Sequence, residues 1–382
     1  MWIFTGLFGL ASVLVTLYAA IIFRYRQWFN KLRPVPLEKT RNNTRFSVII
    51  PARNEQDNIT GCIESIMENG YPENCLEIIV IDDHSSDDTS LLVKELQQKH
   101  ANLKLISLSE KVPGKLNSYK KKAIEIAIEE ARHEWIVTTD ADCFVHPEWL
   151  WSINGFINSK PVCFVAAPVK YKDEDTFVSI FQSLDFISLQ GITAASVSAG
   201  FHSMCNGANI AYRKDVFLEV GGFKGVDKIA SGDDMLLMGK IMKKYPRQVG
   251  YLFNQHAIVS TAPMKSWRDF FNQRIRWASK ATYYKDNRIF LVLLLVYMLN
   301  LILLLLPIGF FWAGWLWKGW LLALALKSIS EFLFLMPVAT FFGEKKLMKW
   351  FFLMQPVHII YIVVAGWLGR FGSYHWKGRK VN

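Results

Sequence analysis

The sequence predicts an α/β domain built on a mostly parallel sheet, with transmembrane helices at both ends. Three observations carry this. Short apolar runs at residues 46–51, 76–81, 103–108 and 135–139 alternate with stretches of helical periodicity. Residues 1–23 contain no charge, and the chain from about residue 288 is mostly apolar and rich in Trp and Phe. The 382 residues leave room for one sizeable soluble domain between these ends, without repeats or low-complexity tracts.

Residues 1–23 suffice to cross about 30 Å of hydrocarbon at about 1.5 Å per residue. Arg24, Arg26, Lys31 and Arg33 follow this segment instead of preceding it, which favours an anchor over a signal peptide. The positive-inside rule then puts the chain after it in the cytoplasm, with 24–45 as a basic juxtamembrane linker. The run 46–51 reads as a buried strand ending at Pro51, followed by Arg53 and Glu55. Ile59, Cys62, Ile63 and Ile66 recur at helical spacing. The strand 76–81 ends at Asp82-Asp83, and Asp87 or Asp88 can cap a helix through Leu91, Leu92, Val93 and Leu96. A strand at 103–108, a helix at 117–131 and a strand at 135–139 complete the pattern. Doubly wound sheets bind ligands at the carboxyl ends of their strands, which places Asp82, Asp83, Asp140 and Asp142 on that edge. The soluble domain is expected to run over 46–263.

Residues 264–287 read as an interfacial amphipathic helix, with Trp267, Phe270, Phe271, Arg274, Ile275 and Ala278 near one face. The membrane portion, 288–369, offers spans at 289–312 and 320–342 and a third apolar stretch at 350–369. Lys327 and Glu331 lie one helical turn apart inside the second span and are expected to pair or to face protein. A third full crossing would export the basic tail 370–382 against the charge rule, so the tail is expected in the cytoplasm. The net charge of +11 lies largely beside these segments, which points to anionic lipid headgroups. No basic stripe interleaved with aromatics occurs elsewhere, which argues against nucleic acid. Five scattered cysteines without a CxxC pair read as reduced, buried thiols and not as a structural zinc site.

Asp140 and Asp142 follow a strand directly, and in extended backbone positions i and i+2 point to one side. Two such carboxylates suit a hard cation, Mg²⁺ or Mn²⁺, shared with phosphate oxygens; a strand-end turn is the plain alternative. Asp82 and Asp83 can accept hydrogen bonds from a base or ribose, with Arg53 and Glu55 flanking the same pocket. Asp233-Asp234 precedes a helical pattern, where acids are favourable on dipole grounds alone; the functional alternative is a general base. Arg276-Trp277 is either a snorkelling Arg beside an aromatic belt residue, or an Arg stabilising a leaving diphosphate beside a Trp lining an acceptor site.

Taken in order, SVIIPARNE, IVIDDHSSDDTS, GKLNSYKKKAIEIAI, IVTTDADC, CNGANIAYRKDVFLEVGGF, SGDDMLL and QRIRW resemble the motifs of membrane-bound family 2 glycosyltransferases over residues 46–280. The resemblance implies the GT-A nucleotide-sugar-binding fold. It implies donor contacts at Pro51, Arg53, Glu55, Asp82, Asp83, Lys115, Asp140 and Asp142, with the last two also holding the metal. It further implies Asp234 as catalytic base, Arg276 as catalytic, and Asp233, Gln273 and Trp277 toward acceptor and diphosphate. Where the family commonly has Glu-Asp, this chain has Asp233-Asp234. The small membrane portion is more similar to lipid-glycosylating members than to polymer-threading synthases.

The expectation is an inverting enzyme of a cell inner membrane with its catalytic domain in the cytoplasm. It would move a sugar from a nucleoside diphosphate donor, such as a UDP-sugar, to a lipid or glycan acceptor at the membrane, with Mg²⁺ or Mn²⁺. Its rivals are a processive synthase of an exported polysaccharide and a non-catalytic nucleotide-sugar-binding scaffold.

Overall fold

The computed structural model describes residues 2–36, 43–112, 118–172, 174–226, 232–280, 286–371, 374–376 and 379–381. The chain opens with helix α1 (Trp2–Asn30), which runs seven residues beyond Phe23 into the basic stretch expected to be linker. Strand β1 (Phe46–Ala52) leads to α2 (Ile59–Met67), whose Ile59, Cys62, Ile63 and Ile66 are buried as their spacing predicts. Strand β2 (Leu76–Asp82) leads to α3 (Thr89–Gln97). Of the two acids available there, Asp87 caps α3: its Oδ1 accepts from the Thr89 N–H at 3.1 Å. Next come β3 (Leu103–Ser107), the short α4 (Leu108–Lys111), α5 (Tyr119–Glu130), β4 (Trp135–Thr138) and α6 (Trp149–Ser159). The remainder comprises β5 (Phe164–Ala166), β6 (Val169–Tyr171), α7 (Phe177–Ser198), β7 (Ile210–Arg213), α8 (Lys214–Glu219), α9 (Asp233–Lys244), β8 (Val249–Tyr251) and β9 (Val259–Thr261). Four helices close the chain: α10 (Trp267–Ala278), α11 (Asn287–Leu305), α12 (Leu316–Phe341) and α13 (Phe351–Phe371).

The chain divides into two compact units. One, residues 33–172 with 203–262, contains a seven-stranded sheet of order β3-β2-β1-β4-β7-β5-β8. The β3-β2-β1-β4 half is parallel, while β7 runs antiparallel to both β4 and β5. A small parallel pair, β6 and β9, stands beside it. All of β2 and nearly all of β1 is buried, as expected of parallel strands covered on both faces. Each fully buried Ile or Val there contributes about 1.5–3 kcal/mol of transfer free energy. In parallel register Ala52 lies opposite Asp82, and Phe46–Ile49 lie opposite Trp135–Thr138. The loops after β1, β2 and β4 therefore leave from the same edge.

The other unit gathers residues 1–32, 173–202 and 263–382. Among the described residues, four helices in it are long and apolar enough to cross a membrane: Gly6–Asn30, Asn287–Phe311, Leu316–Phe341 and Lys345–Arg370. The third apolar stretch is thus one continuous helix across Pro356, with no re-entrant break. Lys327 and Glu331 pair at 2.8 Å as predicted, and Lys327 also donates to Gln355 at 2.8 Å. Helix α7, which the sequence placed inside the 46–263 domain, packs instead against α1 and α12 of this unit. A Cβ on Gly191 of α7 would lie 2.6 Å from Val338 Cγ2 of α12, so the absence of a side chain permits the close approach.

Helix α10 also departs from expectation. The face assigned to the membrane interface is covered by α7 and α13: Phe270 stacks edge-on against Phe181 and Tyr361. Arg274, on the same face, is 2% exposed and meets Asp185 of α7 at 2.7 Å. Lipid would supply no carboxylate for that guanidinium, whereas α7 does. Gln182, one turn earlier on α7, accepts from Met264 N at 3.0 Å and donates to its carbonyl at 2.8 Å, fixing the approach to α10.

Candidate active site

The site assembles at the carboxyl edge of β1, β2 and β4. Asp82 closes β2, and its carboxylate accepts from Ser85 N at 3.3 and 3.4 Å. Asp83, 3% exposed, accepts from His84 Nδ1 at 3.0 Å and lies 4.0 Å from Arg53. Arg53 also donates to the Asp83 and His84 carbonyls at 2.7 and 3.1 Å, so it braces the loop after β2 from the end of β1. Two non-glycine residues here adopt left-handed backbone, Asn54 (φ 51°) and His84 (φ 57°). Such conformations persist where the surroundings over-determine them and cluster at ligand sites. The two are stitched together: Asn54 N donates to Ser85 Oγ at 3.0 Å and Asn54 Oδ1 accepts from Ser86 N at 2.9 Å. Pro51 occupies β1 opposite Ile81. Glu55 accepts from Asn58 Nδ2 at 3.0 Å, and its backbone carbonyl receives the first N–H groups of α2.

Asp140 and Asp142 follow β4 as predicted. Thr261 of β9 donates to Asp142 Oδ2 at 3.2 Å, orienting that carboxylate. Asp140 Oδ1 accepts from Lys120 Nζ at 2.6 Å, and the same ammonium lies 3.7 Å from Asp233. Lys120 therefore joins two acidic clusters separated by more than ninety residues of sequence. Burial works against its charge, but the carboxylates of Asp140, Asp233 and Asp234 outweigh burial and raise its pKa above the ordinary lysine value. Through Tyr119 the contact continues to the first loop: the Tyr119 and His84 rings meet edge-to-face at 5.5 Å. The chain of contacts thus runs from Arg53 and Asp83 through His84, Tyr119 and Lys120 to Asp140 and Asp233.

Asp234 sits in the first turn of α9. Its Oδ2 accepts from the Gly207 N–H at 2.9 Å and its Oδ1 from the Met235 N–H at 2.7 Å. A Cβ on Gly207 would come within 3.4 Å of both Asp233 Oδ2 and Asp234 Cβ, so this glycine leaves the pair room. Thr138 Oγ1, from the end of β4, donates to the Gly207 carbonyl at 2.8 Å and holds the loop in place.

Two residues outside the sequence-based set therefore belong to the site, Lys120 and Gly207. Lys120 is hidden in a run of three lysines with three fates. Lys121 is buried and donates to the Val226 carbonyl at 2.9 Å, and Lys122 pairs with Glu125 across one turn. Helical phase alone separates them. Lys115 lies outside the described residues. Gln273, Arg276 and Trp277 lie on α10, in the other compact unit. There the Arg274 guanidinium stacks 4.2 Å from the Trp277 ring centroid, and Phe186 of α7 covers Trp277 from 6.0 Å.

Asp140 and Asp142 fit a hard divalent cation. Both are oxygen donors from one strand end, and the position beside Asp140 already attracts an ammonium.

Residues 47–221 match the family model described as glycosyl transferase family 2, and residues 135–368 match glycosyl transferase family group 2. The chain is 26% identical over 261 residues to the probable glycosyltransferase YdaM of Bacillus subtilis (strain 168), covering 67% of this chain and 60% of that protein. It is 24% identical over 255 residues to a poly-β-1,6-N-acetyl-D-glucosamine synthase of Staphylococcus epidermidis, covering 65% of this chain and 57% of that protein. The chain thus spans well under two thirds of the length of these two relatives. Among solved structures, the mannosyltransferase PcManGT of Pyrobaculum calidifontis, in complex with GDP-Man and Mn²⁺, is similar in fold. Its TM-score is 0.59 at 21% identity, covering 96% of this chain and 98% of that one.

Proposed function

The chain belongs to the family 2 glycosyltransferases, and on that premise we propose that it moves a sugar from a nucleoside diphosphate donor to a lipid acceptor at the membrane. One observation carries this reading more than any other. Asp140 and Asp233 meet on Lys120, which supports reading the acids suited to a metal-bound diphosphate and those suited to proton abstraction as parts of one site. A scaffold that only held nucleotide would have no use for the second pair. The four long apolar helices support a membrane acceptor, and the basic residues at and just beyond the end of α1, Arg24, Arg26, Lys31 and Arg33, support a cytoplasmic catalytic domain.

The chain's own residues divide the work. The loops after β1 and β2, with Arg53, Asp82 and Asp83, would receive the nucleoside, an acidic lining suited to ribose and base donors. Asp140 and Asp142 would hold Mg²⁺ or Mn²⁺, which when bound neutralises charge on the departing diphosphate. Asp234, held by the Gly207 and Met235 amides, would take the proton from the acceptor hydroxyl. The acceptor oxygen then bonds to the anomeric carbon as the bond from that carbon to the diphosphate oxygen breaks, inverting the centre. Lys120 would balance the negative charge that gathers between the two acid pairs. The roles of Gln273, Arg276 and Trp277 toward acceptor and diphosphate rest on their sequence motif.

The purified chain, given Mn²⁺ or Mg²⁺, a panel of nucleotide sugars and a membrane lipid extract, should release nucleoside diphosphate and add one sugar mass to a lipid. A ladder of masses would instead support the processive synthase. Asp234→Asn should abolish turnover and leave donor binding within about twofold; near-wild-type turnover in that variant would remove Asp234 as the base.

A further inference from the structure

Outside this site, three other side chains of the sheet unit converge. His146 lies in the loop after β4, Glu148 immediately precedes α6, and His256 lies in the short turn Gln255–Ala257 before β9. One possible ligand atom from each falls within 4.8 Å of the other two. We propose that His146, Glu148 and His256 bind a borderline transition-metal ion, zinc foremost, which clasps the loop after β4 to the turn before β9.

The backbone on both sides is already pinned, so only side-chain rotation is needed. Asn69 Nδ2 donates to the His146 carbonyl at 3.1 Å, and Asn254 Oδ1 accepts from His256 N at 2.9 Å. The two imidazoles stack with centroids 4.7 Å apart and planes 15° from parallel. His146 Nδ1 accepts from the Glu148 backbone N–H at 3.1 Å, a hydrogen bond that coordination through this nitrogen would replace. His256 Nδ1 is in direct contact with the Glu148 carboxylate. An ion would take the place of that contact and draw in His146. The Glu148 and His256 side chains are 29% and 46% exposed, so an ion has a route in.

Two imidazoles and one carboxylate favour zinc and its neighbours over Mg²⁺ or Mn²⁺, which prefer all-oxygen shells. Three protein ligands leave one position for water in a tetrahedral shell. The ligands flank the Phe144–Ser260 bridge, whose two backbone hydrogen bonds are 2.8 and 2.9 Å, and β9 goes on to place Thr261 on Asp142. The clasp would thus stiffen the support of the Asp142 carboxylate without belonging to the acidic site.

The test uses the full chain in detergent, stripped with chelator and titrated with Zn²⁺ or Co²⁺ in excess Mg²⁺. Bound metal is counted by mass spectrometry after desalting, and the cobalt form is read by its visible d–d bands. We expect one ion in the wild type and in the Asp140→Asn/Asp142→Asn double variant. His146→Asn and His256→Asn should each weaken binding at least 100-fold, with unfolding temperatures in chelator equal to wild type. Should a histidine variant misfold, Glu148→Gln provides the same comparison. The proposal is overturned if the wild type retains no ion at micromolar free zinc, if the variants at 146, 148 and 256 retain it, or if only the Asp140/Asp142 variant loses it.

Discussion

Replacing Lys120 with Met should make the ligand-free protein bind Mn²⁺ more tightly while lowering its turnover. The ammonium lies 2.6 Å from Asp140 and 3.7 Å from Asp233, so a divalent ion arriving at Asp140 must approach a positive charge or displace it. Two unit charges about 4 Å apart interact by about 1 kcal/mol even at the dielectric of water, and a divalent ion doubles this to roughly 2 kcal/mol. Lys120 can swing away and salt screens the remainder, which leaves about 1.4 kcal/mol, a tenfold gain in affinity. The same change strands two carboxylates. Removing one partner of a fully buried pair costs about 3–5 kcal/mol, and the partial exposure of this pair, 23% for Lys120 and 37% for Asp140, reduces that to about 2 kcal/mol. Titration of free Mn²⁺ by electron paramagnetic resonance without nucleotide measures the affinity, with Lys122→Met as the control for loss of a surface charge on the same helix. Equal or weaker Mn²⁺ binding by Lys120→Met would refute the idea that this ammonium occupies the cation's neighbourhood.

Further predictions concern the helical unit. Arg274→Met should destabilise the protein by about 3–5 kcal/mol by leaving Asp185 buried and uncompensated, and adding Asp185→Leu should recover most of the loss. Denaturant unfolding in detergent reads both, and a double variant no more stable than the single one would contradict the pairing. Burial pushes the pKa of His202 down to about 4, and its Nε2 lies 2.9 Å from Tyr25 Oη. The unfolded chain therefore binds the proton more readily, and the stability conferred by neutral His202 is present above about pH 6.5 and is lost progressively as the pH falls toward 4. The full effect is about 3 kcal/mol, so His202→Asn should flatten the pH dependence of the unfolding midpoint between pH 7 and 5; an unchanged slope would exclude His202 as its source.

The sheet was legible because its central strands are buried on both faces and so appear as mostly apolar runs, two of which, β2 and β4, lead into the acids of the candidate site. A cap at Asp87 or Asp88 and the Lys327–Glu331 pair were legible for a similar reason, since capping and one-turn spacing are local. What escaped depends on contacts distant in sequence. Helix α7 buries Ser179, Gln182, Asp185, Gln190, Thr193 and Ser196 together with its apolar residues, so no amphipathic stripe announces it. The reversal of β7 leaves no mark either, because a short buried strand has the same composition in either direction. Lys120 could be separated from Lys121 and Lys122 only by the phase of α5. The amphipathic pattern of α10 is real, but a stripe of Trp, Phe and Arg does not say whether lipid or another helix covers it.

The division into units bears on how the chain can be cut. Because the helical unit draws on residues 1–32, 173–202 and 263–382, the polypeptide changes unit four times, and neither unit coincides with any contiguous stretch. A fragment spanning 33–262 would carry α7 without α1 or α12, exposing a 22-residue helix whose buried face has lost its partners. During synthesis α1 and α7 must likewise wait until residues 316–341 have been made before α12 can pack against them. Soluble versions of the sheet unit would therefore need an internal excision of 173–202 with a short bridge in its place, and truncation from either terminus should yield aggregation.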